Sequence, residues 1–207
     1  MKVVLASANP GKLRELESLA KPLGWELLSQ QSLGIASAAE TGATFAENAL
    51  IKARHAAAAS GLAALADDSG IEVDALGARP GVHSARYAGE HATDRQNLEK
   101  LLEELREVPP ARRTARYRCV IAYVSGPHDP APIFGEGSWE GRIAQTPRGA
   151  GGFGYDPIFL PGAGDGRTAA ELGREEKDAV SHRARALAAL RERLTGHRSA
   201  RPRSSQA

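Results

Sequence analysis

The segment Ala66-Asp67-Asp68-Ser69-Gly70 sets two adjacent carboxylates at the end of a short apolar run and follows them with Ser-Gly. Ionised carboxylates are too costly to bury unpaired. Alternation along a strand sends neighbouring side chains to opposite faces, so one carboxylate can point into a cleft while the other ties down backbone. Carboxylate oxygens are what Mg²⁺ selects, with phosphate oxygens and water completing its shell. The plain alternative is an Asp-Asp-Ser-Gly turn without chemistry.

Four other groupings bear on chemistry. Ser7-Ala8-Asn9-Pro10-Gly11-Lys12 leads from an apolar run into a helix start, where unpaired N–H groups attract anions and Lys12 adds a cation suited to phosphate. The same residues also suit plain helix capping, and the spacing is not that of a Walker loop. Glu40 stands in a loop without a local partner, Glu47 belongs to a capping box, and Lys52 follows on the same helix within reach of a phosphate. Between Thr146 and Pro161, Gly149, Gly151, Gly152 and Gly154 surround Phe153 and precede Tyr155-Asp156-Pro157. Glycines let backbone approach a ligand, and an aromatic among them can stack on a base, although a flexible turn over a core Phe and Tyr has the same pattern. Lys177 is followed by Ser181-His182-Arg183, and Lys177, Ser181 and, within reach, His182 share a helix flank at spacings of four and five, as a basic surface stripe also would.

The elements that must position these residues alternate. Lys2 to Ser7 reads as a buried strand, with Asn9 as N-cap and Pro10 as first residue of a helix striped by Leu13, Leu16 and Leu19/Ala20. Trp25 to Leu28 reads as a second strand, and a polar loop runs to about Ala43. Thr44-Phe45-Ala46-Glu47 is a capping box opening an Ala-rich helix that stops at Ser60-Gly61. Leu62–Asp67 and Ile71–Leu76 read as short strands flanking the Asp-Asp turn. Thr93 to Gln96 is a second capping box, with Leu98, Leu101, Leu102 and Leu105 on one face. Thr114 to Val124 alternates as a strand, Ile133 to Ile143 reads as a hairpin broken at its glycines, and Pro157 to Leu160 is a short strand. Thr168 to Leu172 opens with a third capping box, and Glu175 to Leu194 reads as one long helix. Strand-helix units early and antiparallel strands late imply an α/β fold with a mixed sheet flanked by helices.

Composition bounds the rest. The 207 residues suit one large domain, spanning 1–195, followed by a basic Ser/Arg/Pro-rich tail, 196–207, expected to be disordered. The chain is formally +2, but Arg198, Arg201 and Arg203 sit in that tail, leaving the body near neutrality and arguing against a general nucleic-acid surface. The lone Cys119 lies in an apolar run, excludes an internal disulfide, suits a reducing cytoplasm and reads as a small hydrophobe. No signal peptide or membrane span is expected.

Taken together, the motifs resemble the inosine triphosphate pyrophosphatase family. The likeness is carried, in order, by residues 7–12, by Glu40-Thr41-Gly42-Ala43-Thr44-Phe45-Ala46-Glu47-Asn48-Ala49, and by Ala66 to Gly70. It continues through Pro80-Gly81-Val82-His83-Ser84-Ala85-Arg86-Tyr87, Gly152-Phe153-Gly154-Tyr155-Asp156-Pro157 and Ser181-His182-Arg183. Ser7 and Ala8 stand where the family has Thr and Gly; Ser7 keeps the hydroxyl.

The resemblance implies a Mg²⁺-dependent hydrolase that converts deaminated purine nucleoside triphosphates (ITP, dITP, XTP) to the monophosphate and pyrophosphate. It also implies a two-lobed fold with the active-site cleft between lobes, and a homodimer in the cytoplasm. By resemblance, Glu40 and Asp68 bind metal, with Asp68 as the water-activating base. Ser7, Ala8, Asn9, Pro10, Gly11, Lys12 and Lys52 cradle the triphosphate, and Ser69 contacts substrate. Phe153, Gly154, Tyr155, Asp156, Lys177, His182 and Arg183 form the base pocket, with Arg183 or backbone N–H groups donating to the 6-oxo group. Asp67, turned away, is expected to matter less. The rival readings are a related pyrophosphatase for another modified nucleotide and a non-catalytic nucleotide-binding module.

Overall fold

A computed structural model of the chain describes residues 1–7, 12, 13, 16, 17 and 23–200. Among the described residues, six strands form one sheet in the order β2-β1-β3-β4-β5-β6. They are β1 (Lys2–Leu5), β2 (Glu26–Ser29), β3 (Ala63–Val73), β4 (Thr114–Val124), β5 (Ile133–Ile143) and β6 (Phe159–Pro161). β1 runs parallel to β2 and β3, and the pairs from β3 to β6 are antiparallel, so the sheet is mixed as expected. The helices named here are α1 (Phe45–Ser60), α2 (Asp94–Glu104), α3 (Arg174–Val180) and α4 (His182–Ala200).

Local chemistry sets the ends of α1 and α2. The Thr44 hydroxyl accepts from the Glu47 N–H while the Glu47 carboxylate accepts from the Thr44 N–H, and Thr93 and Gln96 repeat the exchange. Ala49, Ala53, Ala56 and Ala57 are fully buried and pack on Val4, Ala64, Ala66 and Ala122, so small side chains bring α1 close to the sheet. The other face carries α4, whose Ala186, Leu187 and Leu190 cover Leu5, Leu65, Cys119 and Ile121. Leu65 lies on one side and Ala64 and Ala66 on the other, the period of two that a strand imposes. A third cluster fills the far end of β3, β4 and β5, where Ile71, Val73, Tyr117 and Trp139 meet Leu98, Leu101 and Phe159. The three long strands therefore run from one core to the other, and the cleft lies where they pass between. Cys119 is buried and packs as a hydrophobe; burial also pushes its thiol up.

Three expectations are corrected. Asp67 to Gly70 is not a turn between two strands but the middle of continuous β3, paired residue by residue with β4 from Val124 to Ala115. Gly70 is needed there because a Cβ would overlap the Gly81 carbonyl and the Ser84 hydroxyl, which donates to Gly81 O at 2.6 Å and accepts the Ile71 N–H at 2.9 Å. Ile133–Ile143 is one strand and not a hairpin: Gly135 and Gly137 let α4 lie directly on β5, since a Cβ at either would overlap the carbonyl of Ala186 or His182. The long helix from Glu175 is broken at Ser181, which is extended (φ −67, ψ 160) and caps α4 by accepting the Ala184 N–H at 3.2 Å.

Lys12, Leu13, Leu16 and Glu17 are helical, and Leu16 is fully buried. Ala8, Asn9, Pro10, Gly11, Leu19 and Ala20 lie outside the described residues. So do 201–207 of the expected tail, whereas α4 continues to Ala200.

Gly137→Ala should lower the urea midpoint by the equivalent of about 1–3 kcal/mol, the usual cost of overpacking. Gly126→Ala, which meets only open space, should leave the midpoint unchanged.

Candidate active site

β1 pairs with β3 only from Val3 to Leu5 against Ala63 to Leu65. Beyond that point β3 continues without β1 as a ladder partner, and Asp68, Ser69 and Gly70 border a cleft. The two faces of the strand send neighbouring side chains to opposite sides. Asp67 follows Leu65 toward the α4 side, and Asp68 follows Ala66 toward the α1 side.

On the α1 side, the Lys52 ammonium bridges two carboxylates, donating to Glu40 Oε1 at 2.7 Å and Asp68 Oδ1 at 2.9 Å. Arg86 reaches Glu40 Oε2 at 3.4 Å. The Glu40 loop is pinned two residues on, where the Gly42 N–H donates to Asn48 Oδ1 at 2.8 Å. Burial raises the Glu40 pKa, but Lys52, Lys12 and Arg86 outweigh it and hold Glu40 below its ordinary value. Burial pushes the Asp68 carboxyl above its ordinary value; Glu40 adds to this, and Lys52 and Lys12 oppose it without cancelling it. Burial lowers the Lys52 pKa, but the carboxylates of Asp68, Asp67 and Glu40 hold it above normal.

On the α4 side, Asp67 is buried and meets two cations, Lys12 Nζ at 3.0 Å and Arg183 Nε at 3.3 Å. Arg183 Nη2 also donates to Ser69 Oγ at 2.9 Å. Burial works against the Asp67 charge, but Lys12, Arg183 and Lys52 overcome it and hold the carboxyl far below the usual range. Asp67 is turned away from Asp68, as alternation predicts, and is the shared counter-ion of Lys12 and Arg183. Adjacent carboxylates are thus driven in opposite directions.

The far wall is built around Asp156. Its Oδ2 accepts Lys177 Nζ at 2.7 Å and the Phe153 N–H at 2.9 Å, and its Oδ1 accepts the Tyr117 hydroxyl at 3.2 Å. The Phe153 ring is overlaid by Lys177 Nζ at 5.0 Å and Arg183 Cζ at 5.1 Å from its centroid. His182 is buried, stacked on Tyr117 at 4.6 Å and 8°, and neither ring nitrogen has a hydrogen-bond partner. Burial, with Arg183 and Lys177 nearby, drives its pKa well below normal and keeps the imidazole neutral. The Tyr155 hydroxyl donates to the Ser84 carbonyl at 2.8 Å, and the Gly154 N–H to Asp94 Oδ2 at 2.8 Å.

Lys12, Glu40, Asp68, Ser69, Phe153, Gly154, Tyr155, Asp156, His182 and Arg183 share this one cleft. Lys52 and Lys177 stand behind its wall, joined to it through their carboxylate partners, and Ser7 is buried just past β1. Ala8 to Gly11 are not among the described residues. The cleft also takes in residues that sequence reasoning passed over. Tyr117 was recognised only as part of an alternating strand. Asn97 ties α2 to the Ala85–Ala88 turn by accepting the Ala88 N–H at 2.7 Å and donating to Ala85 O at 3.0 Å. Its signal was an amide on the apolar side of the helix.

The donor set suits Mg²⁺. Asp68 Oδ2 is buried without a hydrogen-bond partner, and the Lys52 ammonium already lies between the Glu40 and Asp68 carboxylates. Among the described residues no cluster of three or more His, Cys, Asp or Glu side chains forms a closed metal cage. A pair of carboxylates is what Mg²⁺ takes when phosphates and water complete its shell.

A model of the Ham1 family matches residues 3–193. The chain is 56% identical over 193 residues to a dITP/XTP pyrophosphatase of Shigella flexneri, covering 93% of this chain and 98% of the relative. It is 55% identical, over the same shares, to a dITP/XTP pyrophosphatase of Escherichia coli (strain K12). The structure of a HAM1 protein from Coxiella burnetii superposes with a TM-score of 0.86 at 49% identity, covering 95% of this chain and 99% of that one. A nucleoside-triphosphatase / dITP/XTP pyrophosphatase from Mycobacterium abscessus superposes at 0.73 with 50% identity, covering 92% and 98%.

Asp67→Asn leaves Lys12 and Arg183 without their common carboxylate. Breaking a buried pair in this way should cost about 3–5 kcal/mol of unfolding free energy, read from denaturant titration. A loss below about 1 kcal/mol, the value for exposed pairs, would contradict the shared counter-ion.

Proposed function

Because the chain belongs to the Ham1 family, we propose that it hydrolyses deaminated purine nucleoside triphosphates to the monophosphate and pyrophosphate, and so clears ITP, dITP and XTP from the nucleotide pool. One observation carries the reading: a single cleft holds a facing carboxylate pair with cations at one end and an aromatic, donor-lined wall at the other. That arrangement fits a triphosphate joined to a base. The reading includes a homodimer acting in the cytoplasm, with residues 1–195 as one functional unit. Among the described residues no helix is long and apolar enough to cross a membrane.

Glu40 and Asp68 would hold Mg²⁺, which when bound neutralises phosphate charge and makes a bound water more acidic. The protein's own groups do the rest. Lys12 and Lys52 bring positive charge to the phosphates, where positioning and electrostatic stabilisation dominate phosphoryl-group chemistry. Asp68, more basic than an ordinary aspartate, takes the proton of the attacking water. The bond broken lies between the first and second phosphates, since the products are a monophosphate and pyrophosphate.

Base choice belongs to the far wall. Phe153 offers a stacking face, which every base has. Inosine and xanthosine carry a 6-oxo acceptor where adenosine carries a 6-amino donor. Arg183 already donates to Asp67 and Ser69, whereas the neutral His182 has both ring nitrogens unspent, so His182 joins Arg183 as a reader of the 6-position. A donor facing a donor leaves buried groups unpaired, at about 1–3 kcal/mol each.

With Mg²⁺ present, ITP, dITP and XTP should yield pyrophosphate in step with the monophosphate, and kcat/KM for ITP should exceed that for ATP by about 100-fold or more. Chelation of divalent cations should abolish turnover. Arg183→Ala should narrow the gap by losing activity on ITP without gaining any on ATP. Release of orthophosphate, or equal use of ATP and ITP by the wild type, would refute the reading.

A further inference from the structure

We propose that Tyr117 is a positioning residue for base selection, its ring fixing the orientation of the His182 imidazole at the cleft. The inference rests on the hydrolysis of deaminated purine triphosphates proposed above.

The ring of a histidine turns about a broad, roughly two-fold torsion, so some contact must choose its orientation. Hydrogen bonds usually do this, by fixing one ring nitrogen. In His182 they do not, since neither Nδ1 nor Nε2 has a partner. What remains is packing, and the flat contact is Tyr117, with centroids 4.6 Å apart and planes 8° from parallel. Tyr117 is itself held from behind. Phe159 tilts against it at 4.7 Å and Trp139 stacks at 6.4 Å, all within the far core. The strand supplies further rigidity: Tyr117 sits mid-sheet, opposite Ile71 on β3 and Trp139 on β5.

The Tyr117 hydroxyl has a smaller part. It donates to Asp156 Oδ1 at 3.2 Å, but Asp156 is also gripped by Lys177 Nζ and the Phe153 N–H. Losing the hydroxyl leaves that carboxylate held, whereas losing the ring leaves the imidazole without its plane. The ring and the hydroxyl therefore make opposite predictions for two substitutions.

The test is kcat/KM for ITP and ATP in Tyr117→Leu and Tyr117→Phe. In Tyr117→Leu, activity on ITP should fall by about tenfold or more, chiefly through KM, because small misplacements of a recognition group are costly. Activity on ATP should hold within about twofold, so that discrimination shrinks. Tyr117→Phe should keep both the wild-type KM and the wild-type discrimination. The assignment is overturned if folded Tyr117→Leu keeps its inosine-to-adenine ratio, if it loses both substrates equally, or if Tyr117→Phe loses as much as Tyr117→Leu. Should the leucine variant fail to fold, the wild type still decides. The His182 ring protons should lie upfield of those of exposed His55 through the Tyr117 ring current, and ordinary shifts would overturn the assignment. A wild type inactive on ITP would instead refute the functional reading.

Discussion

The active cleft depends on one mismatch of length: β3 outruns β1. Their pairing ends at Leu5 against Leu65, and the next residues of β3 continue bonded to β4 without β1 as a ladder partner. A strand carrying two consecutive aspartates can exist only if each face meets its charge. Here the period of two separates them, and each face does. Lys12 and Arg183 take Asp67; Lys52, with Glu40 opposite, takes Asp68. A buried carboxylate without such partners would be protonated or would unfold the segment. The ionic arrangement thus both permits the strand and constitutes the site.

The same separation divides labour between neighbours. Asp67 is driven down and stays charged as a structural anion that binds the two ends of the cleft together. Asp68 is driven up, keeps an unpartnered oxygen, and is the group suited to accept a proton. Environments that push neighbouring titratable groups apart are how acid–base roles are assigned within one fold. At the far wall of the cleft Asp156 collects three donors and holds Phe153 and Lys177, while His182 is left with its nitrogens free of hydrogen bonds.

Much of this was legible in the residues, for local reasons. Capping boxes at Thr44, Thr93 and Thr168 bond within a few residues and were read correctly, as was the alternation of Thr114 to Val124. The ordered motifs pointed to Glu40, Asp68, Phe153 and Arg183, which the fold brings to one cleft from two loops, β3 and α4. What failed depended on contacts distant in sequence. Asp, Ser and Gly are poor strand formers, so Asp67 to Gly70 looked like a turn, yet β4 and the Ser84 segment hold it extended. The glycines of β5 looked like breaks because nothing local shows that α4 rests on them. Ser181 looked like one more helical residue, since it lies four residues after Lys177 on a common helical flank. Tyr117 gave no signal, because its role is to touch a histidine that is remote in sequence.

The account stands on Asp68 as the group that takes the proton, and single-turnover hydrolysis of ITP by Asp68→Asn tests that most directly. The amide occupies the same space but cannot accept the proton. In a variant that remains folded, the chemical step should slow by about 10²–10⁴-fold at saturating ITP and Mg²⁺, the range for losing a general base. A folded Asp68→Asn enzyme that turns over ITP within about threefold of the wild-type rate, far less than that range, would contradict it.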